Sequence, residues 1–282
     1  MPKINGWDLG RNITAGNESV NTQILGGTDT PTGIYDVSTT QRHALGSLLD
    51  FDDGRRFRYA HFVSAVGPGK IAAQDFSVSG FTSKDALFSN SAGTAADQAA
   101  GSTVVYLNDG AITSDDVADI FSGGYLQITD AGGEGHNYRI KSNNVGGEVE
   151  TNTMKVELYD GLAVLVASEA SGSIIGNEYR NLAINDANLD AIVSGITVVD
   201  MAAGEYGWVQ TKGVGIVLAD EAVASAGSIA AVSDGVNGAA SVFGSLLTDS
   251  EDDGTFPLYP IIGIWLDEVA TTEYGPVKLS IE

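Results

Sequence analysis

The sequence predicts an all-β protein made of several small antiparallel modules, barrel-like or sandwich-like, with an extended N-terminal arm. The chain has 282 residues, of which 36 are glycine and only 6 are proline. Glycines recur every few residues, which is typical of many short strands joined by tight turns. Several segments also alternate apolar and polar residues, as half-buried antiparallel strands do. A chain of this length fits one large β domain or two to three modules.

The clearest alternation lies in the middle of the chain. Tyr138 and Ile140 alternate with Arg139 and Lys141, so a strand over residues 136–141 has one apolar and one charged face. A glycine-rich turn before it predicts a hairpin with the preceding strand. Further strands are predicted at residues 57–63, 104–107, 125–129, 154–158, 206–212, 214–218, 227–232, 260–266 and 276–281.

The organisation along the chain is predicted from shifts in composition. Residues 85–101 are rich in Ala, Ser and Asn and indicate a linker, which places a boundary near residue 95. Helix is expected only as a short turn over residues 114–121 and a segment over residues 184–194. The predicted parts are an N-terminal arm at residues 1–45, a first β module at 46–95 completed by later strands, a hairpin-rich domain at 96–200 and a C-terminal module at 201–282.

Charge restricts the classes of partner. The chain carries 14 Lys and Arg against 37 Asp and Glu, a formal net charge of −23. Such a surface repels phosphate backbones and anionic membranes, so neither nucleic acid nor a membrane is an expected partner. No apolar segment is long enough to span a bilayer, and the start has no signal-peptide pattern. Synthesis in the cytoplasm of the producing cell is therefore expected.

No catalytic pattern emerges, and we expect a protein that is not an enzyme and has no cofactor. The chain has no cysteine, which excludes disulfides, thiolate nucleophiles and Cys-ligated zinc. Its three histidines, His43, His61 and His136, lie far apart and form no zinc-protease motif. Neither a nucleophile elbow nor a phosphate-binding glycine loop is present.

Calcium is the best candidate among small ligands. Asp249, Glu251 and Asp253 alternate before Gly254, which is part of a calcium-loop pattern. The closing carboxylate is missing, because Pro260 stands at the twelfth position. A solvated turn is the alternative interpretation.

Aromatic residues supply the candidate interface. Tyr206 and Trp208 lie on one face of a predicted strand, with a glycine between them. Paired rings of this kind fill either the interior of a β module or the centre of an interface, and the interior is the default. Together with Trp7 in the arm, they are the candidate interface residues.

Six runs of sequence stand out as strands and turns. They are DGRRFRY at residues 53–59, GGYL at 123–126, GEGHNYRIK at 133–141, NEY at 177–179, YGWVQTKGV at 206–214 and EYGPVKL at 273–279. Together they resemble uncharacterised virion proteins of tailed phages, especially marine ones. The resemblance covers residues 45–282 in order, and none of the runs is a catalytic motif.

The resemblance implies a structural protein on the capsid surface of a tailed bacteriophage. On this expectation the chain binds the lattice of the major capsid protein, self-assembles as a homotrimer and stabilises the shell from outside. A tail, fibre or adhesin-type attachment protein that binds surface glycans is the alternative. A polysaccharide depolymerase is the enzymatic rival, although no motif supports it.

Overall fold

A computed structural model describes residues 13–15, 18–21, 33–74, 84–186, 192–246 and 259–282. The predicted fold class is confirmed, because the chain forms curled antiparallel sheets with a single turn of α-helix in the described residues. The chain divides into two compact units. The barrel unit is Phe76–Glu178, and the split unit combines Met1–Asp75 with Tyr179–Glu282.

The described elements are numbered in chain order. They are β1 (Ile13–Ala15), β2 (Glu18–Asn21), β3 (Leu48–Phe51), β4 (Arg56–His61), β5 (Ile71–Gln74), β6 (Lys84–Ser89), β7 (Val104–Asn108), β8 (Tyr125–Ile128), β9 (Asn137–Asn143), β10 (Thr153–Leu158), β11 (Ser171–Ile175), β12 (Leu182–Ile184), β13 (Val193–Thr197), β14 (Tyr206–Leu218), β15 (Ile229–Val232), β16 (Ala240–Val242), α1 (Phe243–Leu246), β17 (Ile261–Trp265) and β18 (Tyr274–Ser280).

The barrel unit is a closed antiparallel barrel with the strand order β10-β7-β6-β11-β8-β9. Tyr138 and Ile140 point into its core while Arg139 and Lys141 are exposed, so the predicted alternation is confirmed. The predicted hairpin is also present, because β8 and β9 pair directly. The first and last strands, β6 and β11, are neighbours. Closure by this pair leaves no free edge strand in the barrel.

The split unit contains one branched sheet with the main order β1-β2-β3-β4-β14-β18-β17-β15-β16. Strand β14 is 13 residues long and is its central element. The first half of β14 pairs with β4 and β13, and the second half pairs with β18. Each half covers a separate hydrophobic core, one containing Trp208 and the other containing Trp265.

A β-bulge in the middle of β14 allows this change of partner. Pairing with β4 shifts register between Gln210 and Lys212. The buried Gln210 side chain fixes the bulge, because its Nε2 donates to the carbonyl oxygens of Lys212 at 2.9 Å and Val214 at 3.0 Å. Gly213 follows with a φ of +85°, in the left-handed region. A Cβ here would lie 2.8 Å from Cα of Arg55, so glycine is required for two reasons.

Glu282, two residues beyond β18, anchors the end of that strand. The Glu282 carboxylate pairs with Arg58 at 2.6 Å and Arg56 at 3.7 Å. It also accepts hydrogen bonds from the hydroxyls of Tyr179 and Thr211. Partial burial makes such a shared carboxylate more effective than an isolated surface ion pair.

The predicted parts of the chain differ from these units. Residues 85–101 are not a linker, because they include most of β6 and lie inside the barrel unit. The prediction of an extended arm over residues 1–45 is wrong for its described residues. Strand β2 pairs with β3 of the same chain, and Ile34 and Leu45 belong to the core of the split unit. The first module is indeed completed by later strands, since β4 pairs with β14.

Both predicted helical segments are absent from the described residues that they cover. Residues 114–121 form successive turns. The segment at residues 184–194 begins in β12 and ends in β13, while residues 187–191 lie outside the description. Both strands pair with β5, so pairing across the sheet overrides the local preference for helix. The strands predicted at residues 206–212 and 214–218 are one continuous strand.

Gly213→Ala is expected to destabilise the split unit more than Gly204→Ala. Both residues have positive φ, and a residue with a β-carbon loses about 1–2 kcal/mol of stability in this conformation. Only Gly213 also meets backbone atoms, while a Cβ at Gly204 has nothing within 4 Å. The clash adds about 1–3 kcal/mol. Urea unfolding of the two variants checks this, and equal losses would contradict the role assigned to the bulge.

Residues 76–178 are expected to fold when expressed alone, because the barrel closes on itself around its own core. Phe88→Ala is expected to lower the stability of this fragment by about 3–5 kcal/mol. Leu87→Ala is the matched control, since the neighbouring Leu87 is exposed and its loss costs about 0.5 kcal/mol or less. Circular dichroism with urea unfolding tests both, and an unfolded wild-type fragment would refute the expectation.

Candidate functional site

A row of outward-pointing residues crosses four strands of the split unit. Val214 on β14 lies opposite Lys278 on β18, Lys278 lies opposite Ile264 on β17, and Ile264 lies opposite Ile229 on β15. Directly opposed residues of antiparallel strands point to the same side of the sheet. The row is therefore continuous, with three aliphatic side chains around one lysine.

A second row lies beside the first. Ile216 on β14 is opposite Pro276 on β18, and Leu266 donates its backbone N–H to the carbonyl oxygen of Pro276 at 2.9 Å. The two rows together form what is here called the apolar face. Its members are Val214, Ile216, Ile229, Ile264, Leu266, Pro276 and the central Lys278.

Glycine on the inner side of the sheet explains why these aliphatic residues point outward. The inner side of Gly215 is filled by Leu279 and by the buried Gln210 side chain. A larger residue at position 215 would collide with both. Because glycine occupies the inward-facing position 215, the neighbouring Val214 and Ile216 point to the outer side of the same strand.

The apolar face is both exposed and free of acidic side chains. Val214 and Ile216 are 56% and 55% exposed, and Ile264 is 44% exposed. Strands β14, β15, β17 and β18 contain no Asp or Glu, and their only charged residues are Lys212 and Lys278. A contiguous apolar patch of this kind marks an interaction surface more often than it marks ordinary exterior.

A cleft of about 370 Å³ opens beside the apolar face within the split unit. Three of its polar side chains are already engaged within the protein. Gln210 bonds to backbone, the Thr197 hydroxyl donates to the carbonyl oxygen of Gly67 at 2.6 Å, and Arg55 pairs with Asp53 at 2.6 Å. The cleft thus offers mainly apolar contact. Its apolar lining includes Ile34, Tyr35, Pro68, Val214, Ile216 and Pro276.

The predicted aromatic pair forms part of a longer row of rings. Tyr59 lies between the two, with ring centroids 6.2 Å from Tyr206 and 5.2 Å from Trp208. His61 packs on Tyr206 at 4.6 Å, and His43 packs on Trp208 at 5.4 Å. Trp208 is only 2% exposed, so its ring lies in the interior and offers no surface to a partner. Tyr206 is half-buried at the edge of the same core.

His61 has a lowered pKa. Partial burial is the main cause, because it disfavours the charged imidazolium, and the positive charge of Arg180 acts in the same direction. A hydrogen bond to Asn181 opposes the shift in pKa. The amide oxygen of Asn181 can only accept, so the imidazole donates from Nδ1 over 3.2 Å.

The other predicted site residues lie outside the described residues. They are Trp7 and the calcium-loop residues Asp249, Glu251 and Asp253. Within the part of the chain that the structure describes, no three His, Asp or Glu side chains cluster in a way that could hold a metal ion. In the same residues no helix is long and apolar enough to cross a bilayer.

No protein-family model matches this chain, and no curated protein or solved structure is significantly similar to it.

The apolar face was not predicted from the sequence. A signal for it does exist, because Gly213 and Gly215 alternate with Val214 and Ile216. In a strand of period two, glycines on the covered side place the aliphatic residues on the open side. The same logic applies to Gly263 and Ile264 on β17.

Lowering the pH from 7.5 to 5.5 is expected to destabilise the wild-type protein partly through His61. The lowered pKa means that the unfolded chain binds this proton more tightly, so stability present above about pH 6.5 is lost on acidification. His61→Gln is expected to lose less stability over the same interval, as measured by urea unfolding. His136→Gln, in the barrel unit, is the control. An unchanged pH dependence in His61→Gln would contradict this role.

Proposed function

We propose that this chain is a structural virion protein that decorates the capsid exterior of a tailed bacteriophage. It binds the lattice of the major capsid protein, associates with copies of itself and stabilises the assembled shell. Its place is the capsid surface, after synthesis in the host cytoplasm. The proposal extends the resemblance of the sequence to phage virion proteins, whose shared runs are strands and turns.

The observation that carries the proposal is the apolar face. Burying such a surface against another protein is favourable by about 25 cal/mol per Å² of apolar area. A monomer gains nothing from keeping Val214, Ile216 and Ile264 in water. An exposed sheet face of this composition therefore supports a protein that works by assembly.

The charge of the chain supports the same role. A net charge of −23 keeps the free protein soluble and discourages non-specific contacts, including contacts with packaged nucleic acid. Specific contact is then confined to surfaces that lack carboxylates. A protein that binds only the assembled shell stabilises that shell by mass action.

The proposed role is not catalytic. The cleft beside the apolar face is lined mainly by apolar side chains, and its Thr197, Gln210 and Arg55 side chains bond within the protein. The aromatic row is part of a packed core. These features support binding through shape and apolar contact.

Cryo-electron microscopy of the virions that contain this chain tests the proposal. Density that fits the barrel unit and the split unit is expected on the outer surface of the capsid, at repeated positions of the lattice. Virions that lack the chain are expected to release their DNA at lower temperature in a dye-access assay, because the stabilising ligand of the shell is missing.

Density confined to the tail or a fibre would refute decoration and favour the attachment protein considered above. Binding to glycans on an array would then be the next measurement. Absence of the chain from purified virions would refute a virion role altogether.

A further inference from the structure

We infer that the apolar face binds the same face of a second copy of this chain, sheet against sheet. The inference rests on the assembly role proposed above and names the surface, the partner and the symmetry. Every contact that carries it lies within the split unit.

The size of the apolar face fits such a pair. Its five aliphatic residues are 41% to 56% exposed, and together with Ile261 and Tyr274 at the rim they present on the order of 600 Å² of apolar surface. A stable interface buries about 800 Å² on each partner. The stems of Lys278 and Lys212 and the adjoining edge of the cleft supply the remainder.

Charge narrows the choice of contact between two copies. Each chain has a net charge of −23, so contact through its acidic loops would oppose carboxylate to carboxylate. The four strands of the apolar face carry no acidic residue. Two copies can therefore approach through the centre of this face without opposing carboxylates, while Asp267 and Glu273 lie next to its rim.

The shape of the surface also favours sheet-on-sheet packing. Residues from adjacent strands lie in straight rows, as in the inner faces of a β-sandwich, where two sheets pack about 10 Å apart at roughly 30°. Lys278 lies in the middle of a row, but its stem can cover apolar surface while its ammonium group reaches solvent. One lysine therefore does not prevent the contact.

When a face packs against the same face of a second copy, the assembly is complete with two subunits. The contact is isologous, since the same residues serve both partners. The homotrimer expected from the sequence would instead need a heterologous contact, with a second and different patch on each subunit. The apolar face is self-complementary, so we infer a dimer with two-fold symmetry.

Analytical ultracentrifugation of the full chain tests this inference. A mass of twice 29.2 kDa is expected at micromolar concentration. Ile216→Asp and Ile229→Asp are each expected to raise the dissociation constant about 100-fold, because neither carboxylate lies directly opposite a lysine and each is buried without a partner. Leu165→Asp is the matched control, since Leu165 is exposed to a similar degree in the barrel unit. Circular dichroism establishes that each variant is folded.

The salt dependence of the dissociation constant distinguishes this apolar dimer from a dimer held by ion pairs between lysines and acidic loops. Sodium chloride at 0.5 M instead of 0.05 M is expected to tighten the pair, because it screens the repulsion between two strongly negative chains. Weaker association at high salt would overturn the inference. So would a monomeric or trimeric mass, or pairing that both face variants leave unchanged.

The lack of cysteine in the chain allows a direct test of the contact. With a thiol-reactive cross-linker that spans about 10 Å, Lys278→Cys or Val214→Cys is expected to give a covalent dimer, because two packed sheets lie about 10 Å apart. Leu165→Cys is expected to stay monomeric on a denaturing gel. Equal cross-linking of all three variants would overturn the inference.

The two proposals can fail separately. A pair in solution with no density on the capsid would refute the virion role and leave the inferred contact intact. Decoration of the capsid by single subunits would refute the inferred contact and leave the virion role intact.

Discussion

The split unit depends on one strand that serves two cores. Strand β14 pairs with β4 and β13 over its first half and with β18 over its second half. The change of partner is possible because Gln210 satisfies the carbonyl groups of the bulge and Gly213 adopts a positive φ. Trp208 then packs in one core, while the residues beyond the bulge cover the other. The apolar face is a product of the same strand, since Val214 and Ile216 follow the bulge directly.

Charge and hydrophobicity are distributed unevenly in this chain. The chain carries 37 acidic residues against 14 basic ones, yet the four strands that carry the apolar face contain only lysine as a charged residue. In the proposed role, the acidic part of the surface keeps the protein in solution and the apolar face makes the specific contact. The partly buried Glu282 carboxylate pairs with Arg58 and Arg56, so it adds little free negative charge beside this sheet.

Sequence reasoning succeeded where side chains alternate with a regular period. Strands β9 and β18 were predictable because lysine and arginine alternate with large apolar residues. Strands β5 and β6 were missed because Ala and Ser carry little periodic signal, and β5 is buried on both sides. The two-unit division was not predictable from composition, since it depends on pairing between β4 and β14, far apart in the chain. The apolar face was missed because glycine was interpreted as a turn residue.

The order in which the strands pair has a consequence for folding. Strand β5 pairs with β12, although roughly 100 residues separate them, and closing so long a loop is slow and entropically costly. The intervening barrel reduces that cost, because β6 pairs with β11 and so brings the two ends of the inserted segment together. On a ribosome all six strands of the barrel emerge before β12, so the barrel can close first. The inserted unit is therefore expected to turn a long-range strand pairing in the split unit into a nearly local one.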